Sequence, residues 1–261
     1  ALLGLPTDIN SSHVRGAALG PAAIRKALWS GASNLTSERG VDLSAAGTLV
    51  DEGDLELREK PSDRDEIERA VRRIADRGLK PLLLGGDHSV TYPAMRAIAA
   101  AYGPVNILHF DAHPDLYDEY EGNRFSHACP FARIMDERLA KRLVQVGIRT
   151  LNAHQAAQAK KFKVTMVQMS AFDPATVPIP KGPTYITIDL DALDPAFAPG
   201  VAHREPGGLS VRDVIHVLHR VQGPVVGADI VELRPASDLD GVTAVVASKL
   251  LKELAGLMAL R

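Results

Sequence analysis

The apolar positions of this chain fall in short unbroken blocks rather than in strict alternation. Blocks at 81–84, 105–110, 143–146, 164–167, 185–188 and 225–231 read as strands covered on both faces, as the strands of a parallel sheet are. Between them the period becomes helical. Ser62, with Asp65 and Glu66 behind it, opens a segment whose Ile67, Val71 and Ile74 share one face, and Gly78 is placed to close it. The pattern predicts further helices at 21–29, 90–102, 128–139, 211–221 and 242–258. Strand and helix alternating in this way predict an α/β fold with a covered parallel sheet. No repeat stands out, and the Pro/Gly-rich piece at 194–208 is too short for an interdomain linker, so residues 1–261 are expected to form a single domain.

In sheets of this kind ligands bind beyond the carboxyl ends of the strands. Three of the apolar blocks end in hard metal ligands: Gly85-Gly86-Asp87-His88-Ser89, Asp111-Ala112-His113-Pro114-Asp115 and Asp189-Leu190-Asp191-Ala192-Leu193-Asp194-Pro195. Residues two apart in an extended chain project to the same side, so Asp111, His113 and Asp115 can point together, as can Asp189 and Asp191. Carboxylates and imidazoles gathered in one crevice repel or desolvate one another unless cations sit between them. With His88 the set is two imidazoles and four carboxylates without a thiolate, which suits manganese or another hard-to-borderline divalent ion better than structural zinc. Four carboxylates exceed the needs of one cation. Two cations about 4 Å apart could share Asp111 and Asp189 as bridges.

Composition narrows the partner. Lys+Arg total 30 against Asp+Glu 32, a net charge of -2, so the sequence lacks the basic footprint of a nucleic-acid or anionic-membrane binder and predicts a small-molecule partner. Cys129 is the one cysteine, which excludes an intrachain disulfide and a four-cysteine zinc site and makes a reducing, cytoplasmic setting the expectation. No apolar run approaches the roughly 20 residues of a membrane span. The opening residues, which start at Ala1 without methionine or a basic leader, suggest that some leading residues are missing.

The sequence resembles the ureohydrolases, the family of arginases, agmatinases and their relatives. The resemblance runs in order through the three motifs above, Ser126-His127, Ala196-Phe197-Ala198-Pro199-Gly200 and Gly227-Ala228-Asp229-Ile230-Val231-Glu232. Residues 117–134 and Gly207-Gly208-Leu209-Ser210 look most like the plant-type arginases. The resemblance implies a three-layer α/β/α domain, two Mn2+ per chain, and assembly into trimers or hexamers. One manganese would be held by His88, Asp111, Asp115 and Asp189, the other by His113, Asp111, Asp189 and Asp191. It implies hydrolysis of a guanidino substrate, L-arginine favoured and agmatine the alternative, to urea and an amine such as ornithine.

A guanidinium carbon is a poor electrophile, so the reaction needs a metal-bridging hydroxide rather than neutral water. Glu232 can offer a planar carboxylate to two guanidinium N–H groups. Asp111 is the expected proton carrier to the leaving amine and His127 the shuttle to solvent. Animal-type arginases carry Ser-Gly-Asn-x-His-Gly before and after the catalytic histidine; here the segment is Gly122-Asn123-Arg124-Phe125-Ser126-His127-Ala128. Asn123, Ser126 and Arg124 are the candidates for reading an α-carboxylate, whereas Asp118, Glu119 and Glu121 would favour a bare cationic tail. On sequence alone, Glu232 could equally pair with Arg234. His109 is expected to pack or to orient a metal ligand, His216 and His219 to lie on a partly exposed helix face, and His13, His154 and His203 to sit in loops. A single-zinc deacetylase and a non-catalytic binding protein are the competing classes; the first would leave Asp115, Asp191 and Glu232 without a task.

Overall fold

The computed structural model describes residues 1–260. Its centre is one eight-stranded sheet in which every neighbouring pair is parallel. The strands are β1 (Leu2–Leu5), β2 (Asp51–Asp54), β3 (Leu82–Gly85), β4 (Val105–Phe110), β5 (Ala140–Ile148), β6 (Thr165–Gln168), β7 (Thr184–Asp189) and β8 (Val225–Val231), in the order β2-β1-β3-β8-β7-β4-β5-β6. Seven α-helices cover it: α1 (Gly20–Leu28), α2 (Asp63–Asp76), α3 (Thr91–Tyr102), α4 (Pro130–Asp136), α5 (Ala153–Phe162), α6 (Val211–Arg220) and α7 (Val242–Ala259).

Successive side chains of a strand leave opposite faces of the sheet, and the core divides accordingly. Leu82, Leu84, Leu108 and Phe110 pack with Ile24 of α1, Val214 of α6 and Leu250 of α7. Leu83 and Ile107 pack on the other face with Ile67 of α2, Ile98 of α3 and Phe131 of α4. Both faces of the central strands are therefore dry, which is why those strands read as unbroken apolar blocks. The result is the three-layer α/β/α arrangement.

Between β3 and β4 the chain passes over the positions of β8 and β7, so the strand order reverses there. That switch point opens a crevice at the carboxyl ends of β3, β8, β7 and β4.

Local chemistry follows the sequence with some exceptions. Gly78 has φ +73°, and the amides of Gly78 and Leu79 close on the carbonyls of Ala75 and Ile74, a left-handed stop to α2. Ser62 precedes α2 without capping it; Asp63 instead accepts from the amides of Arg58 and Lys60. Helix α4 starts at Pro130 rather than 128, because the Cys129 amide closes a turn on the Ser126 carbonyl. Strands β1 and β2 and helix α5 were not predicted, and His154 lies on α5, stacked on Tyr117, rather than in a loop. Among the described residues no helix is long and apolar enough to cross a membrane.

Candidate metal centre and active site

The three motif blocks deliver their ligands to one place. His88 opens a short turn after β3, Asp111 directly follows β4, and Asp189 closes β7. His88 Nδ1 lies 3.2 Å from Asp111 Oδ2, 3.1 Å from Asp115 Oδ2 and 3.2 Å from Asp189 Oδ2. His113 Nδ1 lies 3.0 Å from Asp191 Oδ2 and 3.4 Å from Asp111 Oδ1. The ligand atoms of His88, Asp111, Asp115 and Asp189 fall within 4.8 Å of one another, as do those of Asp111, His113 and Asp191. Asp111 thus turns one oxygen to each imidazole and belongs to both groups. Asp189 belongs to the first; its other oxygen, Oδ1, accepts from the Asp191 amide at 2.8 Å.

The backbone fixes this geometry. The Oδ1 atoms of Asp111 and Asp191 accept from the amides of His113 and Ala112, which turns Asp111 Oδ2 toward His88 and His109 and Asp191 Oδ2 toward His113. Gly86 sits so close to the chain after β1 that a Cβ would lie 1.9 Å from the Thr7 carbonyl oxygen. Asp115 and Glu232 are held at φ 49° and 67°, a region that non-glycine residues seldom occupy and that clusters at functional sites.

His88 Nδ1 tests whether a metal fits. It is wholly buried and has no hydrogen-bond partner, although three carboxylate oxygens surround it. A lone pair and several anionic oxygens converging on a common point fit a cation at that point. His88 Nε2 lies 3.0 Å from Thr187 Oγ1, and His109 Nε2 lies 2.8 Å from Asp111 Oδ2, so outer hydrogen bonds orient the ligands, as expected for His109. Burial, joined by repulsion from Asp111, pushes the Asp115 carboxyl up to about 7. Burial and then Asp191 push Asp189 well above the ordinary range. Asp111 resists burial because His109, His113 and His88 hold it ionised.

Beside this cluster, Glu232 follows β8. Its Oε1 accepts from the His88 amide at 2.9 Å and lies 2.7 Å from His127 Nδ1. Arg234 turns away to the Arg15 carbonyl and Ser237, so the pairing with Glu232 left open by the sequence is not formed. His127 Nε2 meets the Ser12 hydroxyl at 2.8 Å and the Ser12 amide at 3.1 Å. Burial opposes the charged form of His127, but attraction to Glu232 outweighs it and raises the pKa to about 9.

A cavity of about 270 Å³ is lined by His113, Asp115, Asp189 and Asp191 together with His127 and Glu232, a volume suited to one small molecule. Asn123 and Ser126 do not line it. The Asn123 amide group is occupied by Asn10 and the Phe125 backbone, and the Ser126 hydroxyl faces the Asn10 carbonyl. Arg124 pairs with Asp118 and also stays outside. The rim carries residues that sequence reasoning left unassigned: Ser12, Tyr117, Tyr120, His203 and Glu205. The signal for the last two was their place just past the third metal motif, two positions apart; Ser12 gave no signal.

A buried cluster of carboxylates and imidazoles at a switch point of a parallel sheet has the donor set of a metal-binding site. The profile of the arginase family matches residues 1–256. The chain is 47% identical over 272 residues to "Arginase 1, mitochondrial" of Arabidopsis thaliana, covering 98% of this chain and 80% of that one. It is 34% identical over 274 residues to "Agmatinase, mitochondrial" of Gallus gallus, covering 97% and 79%. The solved structure of the arginase from Medicago truncatula superposes with a TM-score of 0.94 at 42% identity, covering 98% of this chain and 86% of that one. The protein belongs to the arginase family, and its likeness is strong to the plant arginases.

Proposed function

We propose that this protein is an arginase that hydrolyses L-arginine to urea and ornithine with two manganese ions. The observation that carries the reading is the pair of ligand groups sharing Asp111, with Glu232 and His127 on the wall directly beside them. His88, Asp111, Asp115 and Asp189 would hold one ion, and His113, Asp111, Asp189 and Asp191 the other. When bound, the ions would supply a water acidic enough to attack a guanidinium carbon near neutral pH.

The protein's own residues do the rest. Glu232 presents a carboxylate to the planar guanidinium, and its backbone conformation and its bond from the His88 amide fix where that carboxylate points. His127, protonated up to about pH 9 through its contact with Glu232, can give a proton to the leaving amine. Agmatine is the second reading: Glu205 at the rim offers a carboxylate to a terminal ammonium.

Urea release by the manganese-loaded protein, measured with L-arginine and agmatine in parallel, tests the proposal. L-Arginine is expected to be the better substrate, with Asp191→Ala and Glu232→Ala each lowering turnover by at least about a hundredfold. No urea from either substrate at full metal loading would overturn it.

A further inference from the structure

The sequence offers Asn123 as a substrate reader, and the structure gives it another task. It is the hub of the loop between β4 and α4 that carries His127. Its carbonyl accepts from the amides of Tyr120 and Ser126, and its side-chain Oδ1 from the Phe125 amide. Only its Nδ2 leaves the loop, to reach Asn10 Oδ1 at 3.1 Å.

Asn10 uses all four of its polar groups to join two segments remote from it in sequence. Toward the turn that carries His88, its Nδ2 donates to Ser89 Oγ at 3.0 Å and its amide to Asp87 Oδ2 at 2.9 Å. Toward the loop, its Oδ1 receives Asn123 and its carbonyl accepts from the His127 amide at 3.1 Å. Among the described residues, segment 120–127 makes hydrogen bonds outside its own loop only to Asn10 and, through the His127 ring, to Ser12 and Glu232.

The His127 ring is referred to the same turn at both ends. Ser12, which meets Nε2, lies two residues beyond Asn10, and Glu232, which meets Nδ1, accepts from the His88 amide. A side-chain amide donates to one segment while it accepts from another, so it fixes both at once. Asn10 itself does not line the cavity. Its effect on chemistry must pass through His127, where a displacement of about 1 Å can cost a hundredfold in rate.

We propose that Asn10 is a positioning residue: its side-chain amide docks the His127 loop on the turn that carries His88 and so sets the place from which His127 delivers its proton. The inference rests on the ureohydrolase reading and deepens it.

The test uses Asn10→Ala, which keeps both backbone bonds, Asn123→Ala, and the double variant, at matched manganese content. In each single variant kcat for urea release should fall about tenfold to a hundredfold with KM within about twofold, since Glu232 still holds the guanidinium. The double variant should lose much less than the product of the two losses, because the shared bond is lost only once. In the metal-free single variants a histidine NMR titration should find His127 below about 9, moved toward the ordinary value of about 6.5 as the ring loosens from Glu232. A kcat within about twofold of wild type, or an unmoved His127 pKa, would overturn the assignment even if the variants melt earlier, and so would losses that multiply in the double variant. If wild type releases no urea from either L-arginine or agmatine, the ureohydrolase reading fails, and the NMR titration still decides whether Asn10 positions His127.

Discussion

Two atoms of Ser12 meet His127 Nε2 and ask opposite things of it. The amide at 3.1 Å can only donate, which suits a neutral ring carrying its proton on Nδ1 toward Glu232; the hydroxyl at 2.8 Å can also accept, which suits the charged ring. Ser12 therefore serves both protonation states that a proton carrier passes through. Ser12→Ala removes the acceptor and leaves the opposing amide, so the His127 pKa should fall from about 9 by about one pH unit, the net worth of one hydrogen bond. The sign carries over to stability. A histidine raised above its unfolded value of about 6.5 stabilises the fold fully below that pH and loses its contribution as the pH rises to the folded value, so in Ser12→Ala this loss should be complete at a lower pH. A histidine NMR titration of the metal-free protein reads the shift directly; an unchanged or higher pKa in the variant would refute the two-state role of Ser12.

At the scale of elements, the sheet separates strands that announce themselves from those that do not. β4, β7 and β8 are buried on both faces and appear in the sequence as apolar blocks that end at Asp111, Asp189 and Glu232, which is why the cluster of carboxylates and imidazoles could be read from the sequence. β2 reads Asp51-Glu52-Gly53-Asp54 and carries no apolar signal at all. It is an edge strand made by backbone pairing to β1 and by Arg25 of α1, which donates to Asp51, Asp54 and the Gly53 carbonyl. α5 escaped for a related reason, since the side chains it buries are Gln155 and Gln158. The cavity residue Ser12 was illegible because a loop far in sequence from the three motifs brings it to the site. Arg25→Ala should detach the β2 edge: amide exchange at 51–54 should quicken while β4 and β7 keep their protection, and overall stability should drop by about 1 to 2 kcal/mol, the loss of a charge-assisted set. Equal loss of protection across the sheet would mean that Arg25 supports the core instead.

Taken as a whole, the molecule concentrates its electrostatic cost in one spot. Asp111, Asp115, Asp189 and Asp191 are buried together, and burial drives three of the four carboxyls above their ordinary range. An acid whose folded pKa is raised favours folding at low pH and opposes it above that pKa, so near neutrality the metal-free protein carries these groups as a strain. A cation that binds the folded chain and not the unfolded one reverses the sign. At a free concentration a hundred times its Kd it stabilises by about 2.7 kcal/mol, which for a chain of 261 residues corresponds to a Tm rise of about 5 to 10 °C. Asp189→Asn separates the two contributions. It removes a costly carboxylate, so the metal-free variant should melt at or above the metal-free wild type at pH 7, and it removes a ligand, so most of the rise on adding Mn2+ should vanish. Thermal melts of both proteins with chelator and with Mn2+ measure this crossing of the order. Parallel shifts in the two proteins would mean that the buried carboxylates are held by the fold for some purpose other than binding a cation.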